Sequence, residues 1–465
     1  MKFKSTLVLL AVFLVLLAAV LVFESRGRKE SAAKDKENIL VDVAAADVRK
    51  VQLKRPDGTI ALEKEDKGGW RMTTPLEALA DATEADGLLS SFAGLRLDRV
   101  VERSAGDLKA YGFPRIEVSL WVKGKDTPVT VLIGMENPLD KSLFAKRADD
   151  PRLVLLPSTL TATLDKKVFD FRDKTVFKFE PADVKKVRLR AKGVAWEAAR
   201  EAAGWTFTAP FHALPAKGKL DSLLDSLSNL RATEFVSETK AAEDLKKFGL
   251  DKPEYDVTLS LPAAGKEIVF ALHKDKDRSY ATASGTNKIV AFDGALVADL
   301  EKKPDDLREK KVVDFSSWEA DRVAVKTRGL AIAAAKGKVK DEEKWLLETA
   351  AKDPADGTKV EAFLRRLEGL EATGFVDAPK GLAAYGLETP AAEITVRTKD
   401  YENKVRETVL LVGKEDAAKK EAFVKNAKLD YLFRIDASFL ADLPKEPKDW
   451  RAVPPAPETP AEKKK

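Results

Sequence analysis

Apolar and polar residues alternate, then recur at helical spacing, then alternate again, and this order runs three times along the chain. In the first pass Val48, Val51 and Leu53, then Ile60 and Leu62, alternate with polar residues about Pro56-Asp57-Gly58, which predicts a β-hairpin. Gly69-Trp70-Arg71-Met72 predicts a short third strand, ended by Pro75. Leu88, Leu89, Phe92 and Leu95 share one stripe and predict a helix from about Asp81 to Leu97. Strands are expected over 116–122 and 129–134, the second ending on Gly134, then over 142–146 and 153–156, followed by a helix through Leu164 capped by Ser158.

The second pass gives Val184 to Leu189, Trp205-Thr206-Phe207, Pro210, and a helix bearing Leu220, Leu223, Leu224, Leu227 and Leu230. The third gives Val323-Ala324-Val325, Trp345-Leu346-Leu347, Pro354, and a helix bearing Val360, Phe363, Leu364, Leu367 and Leu370. After each helix the chain writes the same stop: Tyr111-Gly112-Phe113-Pro114, Phe248-Gly249-Leu250, and Tyr385-Gly386-Leu387. An aromatic residue ends a helical turn, a glycine takes the left-handed conformation without a Cβ penalty, and an apolar residue folds back. The three glycines stand at intervals of 137 residues (112 to 249, 249 to 386). The tryptophans are spaced less evenly, which predicts an insertion in the third unit, placed at 351–358. Each unit closes on an arginine, Arg172, Arg308 or Arg451.

This period sets the expected organisation: repeat units at 39–174, 175–311 and 312–453, each an α+β unit with a mainly antiparallel sheet and one packed helix. The units are expected to touch only sequence neighbours, in an extended body. Before them, Ser5 to Phe23 is an uncharged run of 19 residues, close to the length that crosses a bilayer. A cleaved signal peptide would carry a shorter apolar region, so residues 1–29 read as a cytoplasmic N-terminus and single transmembrane anchor, with 30–38 as linker. The body is then exported, single-pass on the inner membrane and periplasmic in a bacterium. The tail 454–465, rich in proline and lysine, is expected to be disordered.

Composition narrows the chemistry. There is no cysteine, which excludes disulfides and thiol catalysis, and only His212 and His273 could supply an imidazole. A net charge of +5 over 465 residues, with Lys and Glu interspersed, argues against nucleic-acid binding. Trp70, Trp205 and Trp345 read as indoles plugging the junction of strand and helix; the sharper alternative is a stacking platform for glycans. Arg172, Arg308 and Arg451 are expected to pair with carboxylates or carbonyls at the junction to the next unit. Asp149-Asp150 and Asp305-Asp306 are the paired carboxylates a hydrolase would need, yet sequence neighbours point apart. The run from His273 to Asp277 offers metal ligands only on paper, because Lys274 and Lys276 oppose a cation. No catalytic, cofactor-binding or metal-binding residue is assigned, and no cofactor is expected.

The N-terminal run, the Trp70 and Pro75 pair, the apolar helix, Tyr111-Gly112-Phe113-Pro114, Leu132-Ile133-Gly134 and Phe171-Arg172-Asp173-Lys174 together resemble the bacterial family called domain of unknown function 4340, three copies in tandem. The second copy departs from it where Ala271-Leu272-His273 stands near the Leu-Ile-Gly position. The resemblance implies an envelope protein, in some cases an auxiliary component of an ABC transporter system linked to gliding motility, and it brings no catalytic residues. The expectation is therefore a non-enzymatic interaction or scaffold protein with a protein partner in the envelope. The alternatives are a periplasmic glycan- or lipid-binding module, which would use an exposed groove at Trp121 or at the repeated tryptophans, and a hydrolase using carboxylates.

Overall fold

The computed structural model describes residues 37–262, 265–276, 278–349, 351 and 353–453. The expected anchor, most of the linker and the tail lie outside these residues. Among the described residues no helix is long and apolar enough to cross a membrane. One compact unit ends at Lys174 and holds the first sheet; a second begins at Thr175 and holds two more.

In the first unit the strands are β1 (Val48–Arg55), β2 (Gly58–Lys64), β3 (Trp70–Thr74), β4 (Ala78–Leu79), β5 (Arg99–Glu102), β6 (Ile116–Val122), β7 (Val129–Glu136), β8 (Leu143–Arg147) and β9 (Leu153–Leu156). They pair antiparallel in the order β4-β3-β2-β1-β6-β7-β8-β9-β5. Helix α1 (Ala82–Phe92) joins the two edge strands, so the sheet curls about it, and Ala85, Leu88, Leu89 and Phe92 enter the core. Asp81 caps it by accepting from the Thr83 and Glu84 amides. The helix stops at Phe92, earlier than its apolar stripe suggests, because Gly94 turns the chain with φ +71°. The last helix, α2 (Leu160–Leu164), begins after Thr159 and receives no side-chain cap, so Ser158 does not cap it.

The second sheet runs β12-β11-β10-β14-β15-β16-β17-β13, with β10 (Lys186–Ala191), β11 (Val194–Glu201), β12 (Gly204–Ala209), β13 (Ala232–Ser237), β14 (Tyr255–Leu261), β15 (Lys266–Asp275), β16 (Arg278–Ala283) and β17 (Ile289–Phe292). The third runs β20-β19-β18-β22-β23-β24-β25-β21, with β18 (Ala320–Thr327), β19 (Ala331–Val339), β20 (Glu342–Leu347), β21 (Ala372–Val376), β22 (Ala392–Lys399), β23 (Val405–Asp416), β24 (Glu421–Asn426) and β25 (Leu432–Asp436). Helices α3 (Lys219–Ser228) and α4 (Ala242–Lys247) belong to the second sheet's copy, and the stretch before the third sheet adds α5 (Ala295–Leu300) and α6 (Pro304–Leu307). Helix α7 (Gly357–Glu368) fills the third sheet as α1 and α3 fill theirs. The architecture is α+β, with every strand pairing in the three sheets antiparallel.

The third copy's extra residues lie in a hairpin. Beyond the rung Arg200↔Trp205, β11 and β12 make one more pair before their turn; beyond Lys336↔Trp345, β19 and β20 make three. Two added rungs hold four residues, so the insertion precedes Trp345 and does not fall at 351–358. Lys340 and Asp341, both at positive φ, close this longer hairpin.

Candidate functional site

The recurring residues take recurring places. Trp70, Trp205 and Trp345 are 3%, 9% and 5% exposed, each between a strand and the helix it faces. The Trp70 indole N–H donates to Asp86 at 2.8 Å and that of Trp205 to Asp221 at 3.0 Å, both on the helix sixteen residues on. In the third copy Glu361 holds that position and turns to Arg365, and the Trp345 N–H finds no acceptor among the described residues. These buried rings offer no stacking platform. Trp121 is half-buried on the outer face of the first sheet, with Lys50 Nζ 5.3 Å from its ring centre.

At the stops, Gly112, Gly249 and Gly386 all sit near φ +70°. Phe113, Leu250 and Leu387 amides reach back to Leu108, Leu245 and Leu382, the bond that closes a Schellman turn. Tyr111 packs on Phe144, Phe248 on Tyr280 and Tyr385 on Phe423, with ring centres 4.9 to 5.0 Å apart. A Cβ on Gly134 would lie 2.2 Å from the Tyr111 carbonyl oxygen, and one on Gly413 2.2 Å from that of Tyr385. The strands do not end there: β7 and β23 continue past these glycines through a one-residue bulge. In the second copy His273 takes the place, β15 runs without a bulge, and the imidazole packs under Gly249.

The closing arginines share a backbone role. Asp81, Ala216 and Asp356 amides donate to Phe171, Leu307 and Trp450 carbonyls, and Asp173, Glu309 and Ala452 amides donate to Leu79, Leu214 and Pro354. Pro354 therefore matches Leu79 and Leu214 in place, whereas Pro75 and Pro210 follow their tryptophan strands directly. The side chains differ. Arg172 is buried. Arg308 is buried completely, its guanidinium 4.3, 3.7 and 4.8 Å from the ring centres of Phe211, Phe375 and Tyr431, with Asp377 at 2.6 Å and Asp305 at 3.3 Å. Phe211 packs on the cores of both the second and third sheets, so this arginine is held at their junction. Arg451 closes no junction: it is half-exposed and pairs with Asp353 of its own copy at 2.8 Å.

The candidate chemistry is engaged structurally. Asp150 takes a forked bond from Arg152 at 2.7 and 3.0 Å, and that guanidinium holds its carboxyl below the ordinary range. Asp149 pairs with Arg147, Asp305 with Arg308, and Asp306 accepts the Lys303 amide. Among the described residues no group of three or more His, Asp or Glu could hold a metal ion. His212 lies in the loop after Phe211, away from His273 in sequence, and no shared role is assigned to them.

One surface has no counterpart in the other copies. Each first strand of a sheet is preceded by a single helical turn: Ala45–Asp47, Pro181–Asp183 and Ser317–Glu319. Its middle residue is Ala46, Ala182 and Trp318, and Trp318 is 71% exposed. Beside it, β18 ends its pairing with β22 at Ala320↔Thr398, and the turn to β23 carries Tyr401, 87% exposed, and leads into exposed Val405. The corresponding turns, 123–128 and 262–265, contain no aromatic residue. The lengthened hairpin projects at this same end, and Lys336 donates to the Trp318 carbonyl at 3.4 Å. Trp318, Tyr401 and Val405 form the candidate functional site, with Lys399, Asp400, Glu402 and Lys404 about Tyr401 in sequence. Sequence reading by period alone missed it, because a one-turn helix and a hairpin turn carry no periodic signal.

Sheet order, the buried tryptophan and the arginine closure repeat in all three copies, which makes this a tandem-repeat α+β protein. The model of one family, Domain of unknown function (DUF4340), matches it three times, over residues 70–216, 205–384 and 345–454, and the chain belongs to that family. A comparison with curated proteins returns no match. Among solved structures, a DNA polymerase sliding clamp from Pseudomonas aeruginosa is 9% identical over 85% of this chain and 94% of that one, with a TM-score of 0.13. The DNA polymerase III subunit beta from Pseudomonas aeruginosa is 10% identical over 69% and 86%, with a TM-score of 0.12. Scores this low carry no argument about fold or function.

Proposed function

We propose that this protein is a non-enzymatic interaction protein of the cell envelope, anchored in the inner membrane by Ser5 to Phe23 with its repeats in the periplasm, and that its third copy docks a protein partner. The observation that carries the reading is the meeting of three features peculiar to that copy, Trp318, Tyr401 and the longer hairpin, at one end of one sheet. Exposed Trp and Tyr within a polar rim are the residues that dominate protein–protein contacts. The balanced charge of the rim suits a protein surface better than a polyanion. By family resemblance the partner is a subunit of a transporter system.

Purification of the tagged full-length chain from its own host in mild detergent, beside a chain lacking Met1 to Lys29, tests this. A transporter subunit should co-purify with the anchored form and be lost from a Trp318→Ala/Tyr401→Ala chain. Recovery of the protein alone from both forms would overturn the docking function, and retention of the partner by the double variant would overturn the site.

A further inference from the structure

The outer faces of the three sheets carry a cation at the same rung, and its neutralisation differs. In the first sheet Lys50 stands opposite Glu63 and pairs with it at 2.6 Å. In the third, Arg322 makes two bonds of 2.8 Å to Glu348, three residues beyond Trp345. In the second, the cation is Lys186, and both carboxylate positions have been given up: Ala199 stands opposite it, and Thr208 lies three residues beyond Trp205. The ammonium groups of Lys185 and Lys186 have no partner among the described residues.

What replaces the carboxylate is space. Lys185, Lys186, Ala199, Thr208, Thr258 and Ser260 line a hollow of about 450 Å³ on this face. Two glutamates also border it: Glu197 is paired with Arg188 at 2.7 Å, and Glu267, which accepts from the Ser260 hydroxyl at 3.2 Å, keeps its charge, so Lys185, Lys186 and Arg188 leave the lining net positive by one. The hollow thus combines two ammonium groups without a carboxylate partner with the hydroxyls of Thr208 and Thr258. A tetrahedral anion with several acceptor oxygens satisfies both sets together.

We infer that this hollow binds a phosphoryl group, with Lys186 as its principal charge partner and the hydroxyls of Thr208 and Thr258 as donors. The phosphoryl group belongs either to a small soluble phosphomonoester or to the headgroup diester of a phospholipid. The site is independent of the docking surface on the third sheet.

The test uses the full chain in a phosphate-free maltoside detergent, with glycerol 3-phosphate and dihexanoyl phosphatidylglycerol as separate probes and phosphorus NMR line broadening as the readout. Saturable broadening of at least one probe is expected, the monoester pointing to a soluble ligand and the diester to a lipid. It should weaken about tenfold or more in Lys186→Ala and in Ala199→Glu, which installs the carboxylate that the first sheet already carries on this rung. Ala199→Glu should melt with the parent, separating loss of binding from loss of fold. Absence of saturable broadening with both probes, or equal broadening in parent and variants, would overturn the assignment.

Discussion

The third copy carries two tryptophans that answer to different demands. Trp345 has partners in position in Trp70 and Trp205 and is nearly buried; Trp318 stands where the other copies have Ala46 and Ala182, and is 71% exposed. A position kept across three copies is fixed by what the copies share, which is the fold. An exposed aromatic found in one copy gains little from that fold, and under the proposed function it serves a partner. The same contrast separates Arg308, enclosed by three rings between two sheets, from Arg451, half-exposed and paired only within its own copy.

The largest effect should come from removing a shared buried ring. Trp205→Ala should cost about 3–5 kcal/mol in urea unfolding. Next comes the arginine pair: Arg308→Ala should cost about 2–4 kcal/mol, from lost ring contacts and a vacated cavity, against less than about 1 kcal/mol for Arg451→Ala. Similar losses from both would break the contrast between the enclosed and the half-exposed arginine.

Tyr255 supplies an internal check, because it is peculiar to the second copy, where Ile116 and Ala392 stand in the others, yet it is buried. It should therefore matter to stability. Burial, aided by its bond to Glu301, pushes its phenol from the ordinary 10 up to about 12. The folded chain then holds this proton more tightly than the unfolded chain. Its contribution is complete below about pH 10 and is lost as pH rises toward 12. Unfolding midpoints measured from pH 9 to 12 should fall less steeply in Tyr255→Phe than in the parent; parallel curves would contradict the assignment. A smaller effect is a gain. Gly87 lies inside α1 with open space about it, where the third copy has Ala362, so Gly87→Ala should raise stability by about 0.5–1 kcal/mol in the same urea assay.

Much of this architecture is legible in sequence, because the features that build it leave local marks. A left-handed glycine after an aromatic residue marks each stop, and an i, i+1, i+4 stripe marks each packed helix. The misreadings have physical causes. Added hairpin rungs leave the alternation of residues unchanged, so the uneven tryptophan spacing alone does not locate them before Trp345, and Pro354 shares only its residue type with Pro75 and Pro210. Gly134 reads as a strand end, whereas the glycine admits the Tyr111 carbonyl against a strand that continues through a bulge. The partner of Arg308 required the third sheet to be in place, since Asp377 and the rings of Phe375 and Tyr431 lie 67 to 123 residues away in sequence. Alignment of the copies on Val51, Val187 and Val323 would have set Ala46, Ala182 and Trp318 in one column and exposed the candidate site.

The most direct test of the division between shared and copy-specific residues compares Trp345→Ala with Trp318→Ala by urea unfolding in the same background. The account predicts a loss of about 3 kcal/mol or more for Trp345→Ala and a change within about 0.5 kcal/mol for Trp318→Ala. Equal losses would show that Trp318 serves the fold, and would contradict the claim that its exposure is reserved for a partner.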